Sequence, residues 1–142
     1  MELTELYKLV ENDLVLDDTA LDREAMRTPY LHSKYLRFYE EAKLEQAKST
    51  KEYKKLKLEK VLYYTGRADP EIYKEHPFDL KILKNEVDTW LDGDDELETM
   101  NLKVEYQKTK VDFLQRTLTS ITNRSFYIRH IIDWRKFING VA

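Results

Sequence analysis

The sequence predicts an all-α fold of long helices in a helical hairpin or coiled-coil arrangement, and three observations carry that expectation. Only three glycines and three prolines occur among 142 residues. That is well below the usual roughly 7% and 5%, so turns are scarce and the elements between them are long. Gly66, Gly93 and Gly140 stand where helices are expected to end, which is the place a helix favours glycine. Apolar residues recur at three- and four-residue spacing, most clearly in the last third of the chain.

Each element follows from local chemistry. Leu3, Leu6, Leu9 and Val10 share one face of an expected acidic amphipathic helix over 2–14. Asp17, Asp18 and Thr19 offer cap chemistry for a helix running to about Arg27. Pro29 suits the first turn of a new helix or a kink in a continuing one. From there to Tyr64 neither Gly nor Pro recurs, which predicts one long basic helix over about 29–65. Its apolar stripe runs through Leu31, Tyr35, Phe38 and Ala42, thins after Leu44, and returns at Leu56, Leu58, Val61 and Leu62.

Residues 66–80 hold Gly66, Asp69, Pro70 and Pro77 and are expected to form a loop; Lys81 to Leu91 could form a short helix. Asp92-Gly93-Asp94-Asp95 reads as a turn that also caps the next helix. That last helix, expected over about 95–139, carries a heptad seam of Leu97, Met100, Val104, Val111, Leu114, Leu118, Ile121, Ile128 and Ile132. Gln107 and Ser125 interrupt it. Toward its end Phe126, Tyr127, Ile131, Trp134, Phe137 and Ile138 make it apolar on more than one face, so it needs cover on more than one side. The expectation is a single helical domain over 1–142.

Composition narrows the function classes. There are no cysteines, so disulfides, thiol chemistry and cysteine zinc sites are absent. No apolar run is long enough for a membrane span, and the acidic start Met1-Glu2-Leu3-Thr4-Glu5 argues against a signal peptide. No Gly-rich phosphate loop followed by Lys-Ser/Thr occurs, which argues against an ATPase. His32, His76 and His130 lack a second His or Cys at metal spacing, and His130 reads as a structural or interface histidine. Asp92, Asp94 and Asp95 begin like a calcium loop, but the remaining ligands do not follow. No catalytic residues, metal or cofactor are expected. Trp134, Phe137 and Ile138 could mark a membrane-surface helix, yet the seam leading into them favours subunit packing.

The formal net charge of −3 hides segregation. Residues 1–22 carry seven acids and one Lys; 43–60 carry seven Lys and three Glu; 85–98 carry seven acids and no base; 103–136 carry eight bases and three acids. The helix dipole accounts for part of this pattern. The acidic block 85–98 reads as a helix N-terminus, or else as a docking patch for a basic partner. A lysine stripe is by default a solvated face. Here, however, Lys48, Lys51, Lys54, Lys55, Lys57 and Lys60 lead into Tyr63, Tyr64 and Arg67. Cations neutralise phosphates and aromatic rings stack on unpaired bases, so this run suits single-stranded nucleic acid better than a duplex groove. The alternative is that Tyr63 and Tyr64 simply pack at a helix end.

Tyr63-Tyr64-Thr65-Gly66-Arg67 closely resembles the Tyr-Tyr-Ser-Gly-Arg motif of the UvsY family, the recombination mediators of T-even-type phages. The run from Ile121 to Phe137 looks like that family's C-terminus, and Ser33-Lys34-Tyr35-Leu36 resembles its Ser-Lys-Trp-Leu. The resemblance spans roughly residues 3–67 and 97–140, and the middle aligns poorly. Where the family has a basic residue, Ala, then Arg before the Tyr pair, this chain has Leu58 and then Lys60, with Lys57 as the neighbouring cation.

The resemblance implies a non-enzymatic role in phage DNA recombination, repair and replication, in the cytoplasm of the infected bacterial host. Such proteins bind single-stranded DNA coated by the phage single-stranded-DNA-binding protein and help load a RecA-like recombinase. They act as closed homo-oligomeric rings of about six or seven subunits. On this reading the Lys48–Lys60 lysines contact phosphates with Arg67, Tyr63 or Tyr64 stacks on a base, and Leu118, Ile121, Phe126, Ile128, Ile131, Ile132, Trp134 and Phe137 assemble the ring. A coiled-coil scaffold or adaptor that binds only protein partners is the alternative.

Overall fold

The computed structural model describes residues 1–140. It is all-α, with no strand among the described residues. Six helices follow in order: α1 (Leu3–Leu14), α2 (Leu21–Tyr64), α3 (Pro70–Glu75), α4 (Val87–Asp92), α5 (Asp95–Thr122) and α6 (Arg124–Ile138), with one 3₁₀ turn at Lys84–Glu86. They contribute to two compact units. One comprises Met1–Ala42 with the described residues from Lys110 on, and the other Lys43–Thr109.

Local chemistry sets the helix ends. The Glu2 N–H donates to the Glu5 carboxylate at 3.1 Å and opens α1. Asp17 accepts from both the backbone N–H and the hydroxyl of Thr19, at 3.0 and 2.6 Å, turning the chain into α2. That helix begins eight residues before the expected start at Pro29. Pro29 lies inside it. A proline there removes one hydrogen bond to a carbonyl four residues back, and the helix continues through it.

The expected loop over 66–80 contains a short helix. Asp69 accepts the Glu71 N–H at 3.1 Å and Pro70 takes the first helical position, a cap-and-proline start. The expected helix over 81–91 is shorter, a 3₁₀ turn followed by α4.

The expected single helix over 95–139 is divided at Asn123 into α5 and α6. Thr117, Thr119 and Thr122 each donate a hydroxyl to the carbonyl four residues back, a pattern that weakens and bends a helix. The division places Arg124, 3% exposed, against α2.

The core of the first unit is Leu6, Leu31, Tyr35, Ala42, Val111, Leu114 and Ile121. Val111, Leu114 and Ile121 of the predicted seam are therefore consumed within the protomer. Tyr7 meets Phe113 edge to face at 4.8 Å. Polar anchors flank this core. Asp13 Oδ2 accepts from Lys34 Nζ at 2.7 Å and Tyr35 Oη at 2.8 Å. The Arg124 guanidinium donates to the Glu24 carboxylate and carbonyl, both at 3.1 Å, and to Thr28 Oγ1 at 3.3 Å. Burial by itself raises the Glu24 pKa, but hydrogen bonds from Arg27 and Arg124 outweigh it and hold the carboxyl below its usual value.

Candidate nucleic-acid interface

The second unit holds the lysine–tyrosine run. Residues 43–62 of α2 are dominated by Lys, Leu, Glu and Ala, all strong helix formers. At about 100° per residue, Lys43, Lys48, Lys51, Lys54, Lys55 and Lys57 fall within half the helix circumference, and Lys60 lies outside it. All six are exposed, whereas Lys60 is half-buried. Among the described residues, none of Lys48, Lys51, Lys54, Lys55 and Lys57 is drawn into an ion pair. A shallow groove of about 440 Å³ runs along this face between Lys43, Gln46, Thr50, Lys51 and Lys54.

Tyr63 to Arg67 forms the C-terminal cap of α2. The Gly66 N–H bonds the Tyr63 carbonyl at 3.3 Å and the Arg67 N–H bonds the Leu62 carbonyl at 2.8 Å. This is the Schellman arrangement. It requires a left-handed residue, and Gly66 supplies it with φ +76°. The Tyr73 hydroxyl adds a second donor to the Tyr63 carbonyl, at 2.8 Å.

Both tyrosines of the run are held by their own unit. Tyr63 stacks on Tyr73 at 5.5 Å and its hydroxyl donates to the His76 carbonyl at 3.0 Å. Tyr64 packs against Phe78 and Trp90 at 5.2 and 5.9 Å. Its hydroxyl donates to Asp94 Oδ2 at 2.6 Å, and burial together with that carboxylate pushes its pKa well up. The packing of the pair at a helix end is thus realised. Arg67 stands exposed just beyond it.

Lys60 has two carboxylate partners, Asp94 at 3.2 Å and Glu96 at 2.9 Å. Burial by itself lowers the ammonium's pKa, but the hydrogen bonds to Glu96 and Asp94 outweigh it and raise it above the usual lysine value. Asp94 is the hub. Its Oδ1 accepts the Leu97 N–H at 2.9 Å and caps α5, while its Oδ2 takes Tyr64 and Lys60. Burial pushes its pKa up, and those three donors more than reverse the shift.

Sequence reasoning placed 85–98 at a helix N-terminus, and Asp94 is that cap. It did not connect the block with Lys60, nor find Tyr73, Phe78 and Trp90 around the tyrosine pair. The only signal for the aromatic cluster was the presence of aromatics in the poorly matched middle segment.

The residues expected to assemble a ring divide in two. Ile121 and Ile128 are buried in the protomer, and Leu118 packs against its core. Ile131 is half-buried. Phe126, Ile132, Trp134 and Phe137 are exposed, with Tyr127 and Ile138 beside them; Trp134 is 61% and Phe137 73% exposed. Trp134 and Phe137 stack on each other at 5.7 Å. An apolar cluster of this kind on a surface marks an interaction site. No helix among the described residues is long and apolar enough to cross a membrane.

The comparisons with known proteins agree with one another. The family model "Recombination, repair and ssDNA binding protein UvsY" matches residues 9–141. The recombination protein uvsY of Enterobacteria phage T4 is 29% identical over 140 residues, covering 99% of each chain. A crystal structure of the bacteriophage T4 recombination mediator protein UvsY (lattice type II) superposes with a TM-score of 0.86 at 28% identity, covering 98% of both chains. The lattice type I structure of the same protein gives 0.83 at 28% identity, over 94% of this chain and 98% of that one. A chain matched over nearly its whole length in family model, sequence and fold belongs to the UvsY family of recombination, repair and single-stranded-DNA-binding proteins.

Proposed function

We propose that the protein is a phage recombination mediator that binds single-stranded DNA and promotes loading of a RecA-like recombinase onto DNA coated with single-stranded-DNA-binding protein. The observation that carries the DNA-binding part is the open face of Lys48, Lys51, Lys54, Lys55 and Lys57, five exposed cations with no internal counter-ion, with Arg67 beyond the cap. A flexible strand can lay successive phosphates along such a face. The protein performs no bond chemistry on this reading; it acts by binding in the cytoplasm of the infected host.

The exposed Phe126, Trp134 and Phe137 on one face of α6, with Ile132 exposed on another, support assembly into a closed homo-oligomer, for which about six or seven subunits is the expectation. Each subunit then binds weakly while the assembly holds on through high effective concentration. That combination suits a mediator, which must exchange local contacts with the single-strand-binding protein and the recombinase without leaving the strand.

The test is binding to a single-stranded oligonucleotide at two salt concentrations, with the triple variant Lys51→Ala, Lys54→Ala, Lys55→Ala alongside. The native protein should bind in a salt-sensitive way, and the variant's salt slope should fall by up to about 0.7 for each phosphate contact removed. Absence of binding at low salt would leave the protein-only scaffold as the better reading. Loading itself is read from the lag before DNA-dependent ATP hydrolysis by the recombinase on coated strands, which the native protein should shorten.

A further inference from the structure

We propose that Glu96 is an intramolecular stand-in for a nucleic-acid phosphate: its carboxylate occupies the Lys60 ammonium in the free protein, yields that place to a backbone phosphate, and so sets the affinity for single strands. The inference rests on the DNA-binding reading above and adds to it a residue that opposes binding.

The two partners of Lys60 differ in kind. Asp94, whose side chain is 6% exposed, is fixed by the Leu97 N–H and the Tyr64 hydroxyl as well as by Lys60. It cannot leave without uncapping α5. Glu96 has a side chain 68% exposed and reaches Lys60 from the first turn of α5. An ion pair with one partner so exposed contributes little to stability, so its exchange costs little. When Glu96 swings away, Asp94 and the packing of Tyr64 keep Lys60 in place.

The surroundings suit an incoming phosphate. A half-open cavity of about 400 Å³ lies in front of the ammonium, lined by Leu56, Lys60, Tyr63, Tyr64, Ile72 and Glu96. Its polar wall is the Lys60–Glu96 pair with Glu59 and His76 beside it, and its apolar wall the edge of the aromatic cluster. The N-terminal end of α5, which favours the Glu96 carboxylate electrostatically, favours a phosphate oxygen in the same place. A phosphate can thus take over the charge-assisted bond to Lys60 that Glu96 now makes.

The test is a double-mutant cycle on the full-length protein, read by fluorescence anisotropy of a labelled thymidine oligonucleotide at two salt concentrations. Glu96→Gln keeps size and helix propensity and should leave the thermal midpoint and helical circular dichroism unchanged. It should tighten binding about twofold to fivefold at low salt, the span of an exposed pair, and steepen the salt slope by up to about 0.7. In a Lys60→Ala background the same change should leave affinity unaltered. An equal gain with and without Lys60 would mean mere removal of a negative charge and would overturn the inference, as would no gain in the native background. Native protein that ignores the oligonucleotide at low salt overturns the mediator reading and this inference with it. Native binding with no Glu96→Gln effect overturns this inference alone.

Discussion

Arg124→Ala should be among the most destabilising single substitutions in the chain. The side chains of Arg124 and Glu24 are only 3% and 6% exposed. Removing the guanidinium takes one of two cations from a buried carboxylate and a donor from Thr28 Oγ1 and from the carbonyls of Glu24 and Leu14. Breaking a buried pair from one side costs about 3–5 kcal/mol. Arg27 still reaches Glu24 at 2.9 Å from a half-exposed position, so the lower end, about 3 kcal/mol, applies. With a urea dependence of about 2 kcal/mol per molar, the midpoint should fall by about 1.5 M. The assay is urea unfolding followed by far-ultraviolet circular dichroism at fixed protomer concentration, because assembly would otherwise shift the midpoint. The double variant Glu24→Leu, Arg124→Met should lose less than Arg124→Ala alone, since neither charge is then stranded. The pH dependence has a definite sign. Glu24 has a depressed folded-state pKa, so its stabilising contribution is present above the unfolded value and disappears as pH falls through the folded one. The gap between native and Arg124→Ala should therefore narrow in acid. A midpoint shift under about 0.5 M, or a gap that widens in acid, would refute the assignment of Arg124 as the anchor of α6.

Other outcomes follow from the same geometry. Tyr64→Phe removes a 2.6 Å bond to the Asp94 carboxylate and should cost about 1.5–3 kcal/mol, the range for a hydrogen bond to a charged group, measured by chemical unfolding. Trp134→Glu should leave monomer helicity intact, because the ring is exposed in the protomer, yet dissociate the assembly in sedimentation velocity. An intact assembly would remove Trp134 from the interface. Above about pH 10 stability should fall. The raised Tyr35 and Tyr64 hydroxyls and the raised Lys60 ammonium contribute below their unfolded values, and that contribution is lost as pH rises toward the folded ones. A flat stability curve across that range, from unfolding at stepped pH, would contradict those three contacts.

What could be read from the sequence was what depends on neighbours along the chain. The 3–4 spacing places Val111, Leu114 and Ile121 on one face, and they do line a core. Scarce Gly and Pro predict long helices, and α2 runs for 44 residues. The misplaced boundaries arise where distant residues decide. The division at Asn123 accompanies a contact between Arg124 and a glutamate one hundred positions earlier, and no local pattern announces it. Asp69-Pro70, by contrast, is a legible cap signal inside a segment whose Gly66, Pro70 and Pro77 otherwise predict a loop. Lys60 was legible as a cation of the basic run but not as a paired one. Its partners lie more than thirty residues away in a block whose acidity was read on its own.

That separation explains how a chain of net charge −3 can serve a polyanion. The unit spanning Lys43–Thr109 holds thirteen Lys and Arg against fifteen Asp and Glu, so its total charge would repel DNA. At physiological salt, interactions are screened over about 8 Å, and a phosphate responds to the charges beside it rather than to the sum. Arrangement therefore decides. Five lysines stand on an open face without counter-ions, while Asp94 is turned inward to cap α5 and hold Lys60 and Tyr64. An acid used to fix a helix end costs the binding face little, because its charge is already compensated by the donors around it. Glu96 differs from Asp94: it stays exposed while paired with Lys60, close enough to that cation for a phosphate to feel it. If arrangement rather than total charge governs affinity, neutralising this one carboxylate changes binding through Lys60 alone.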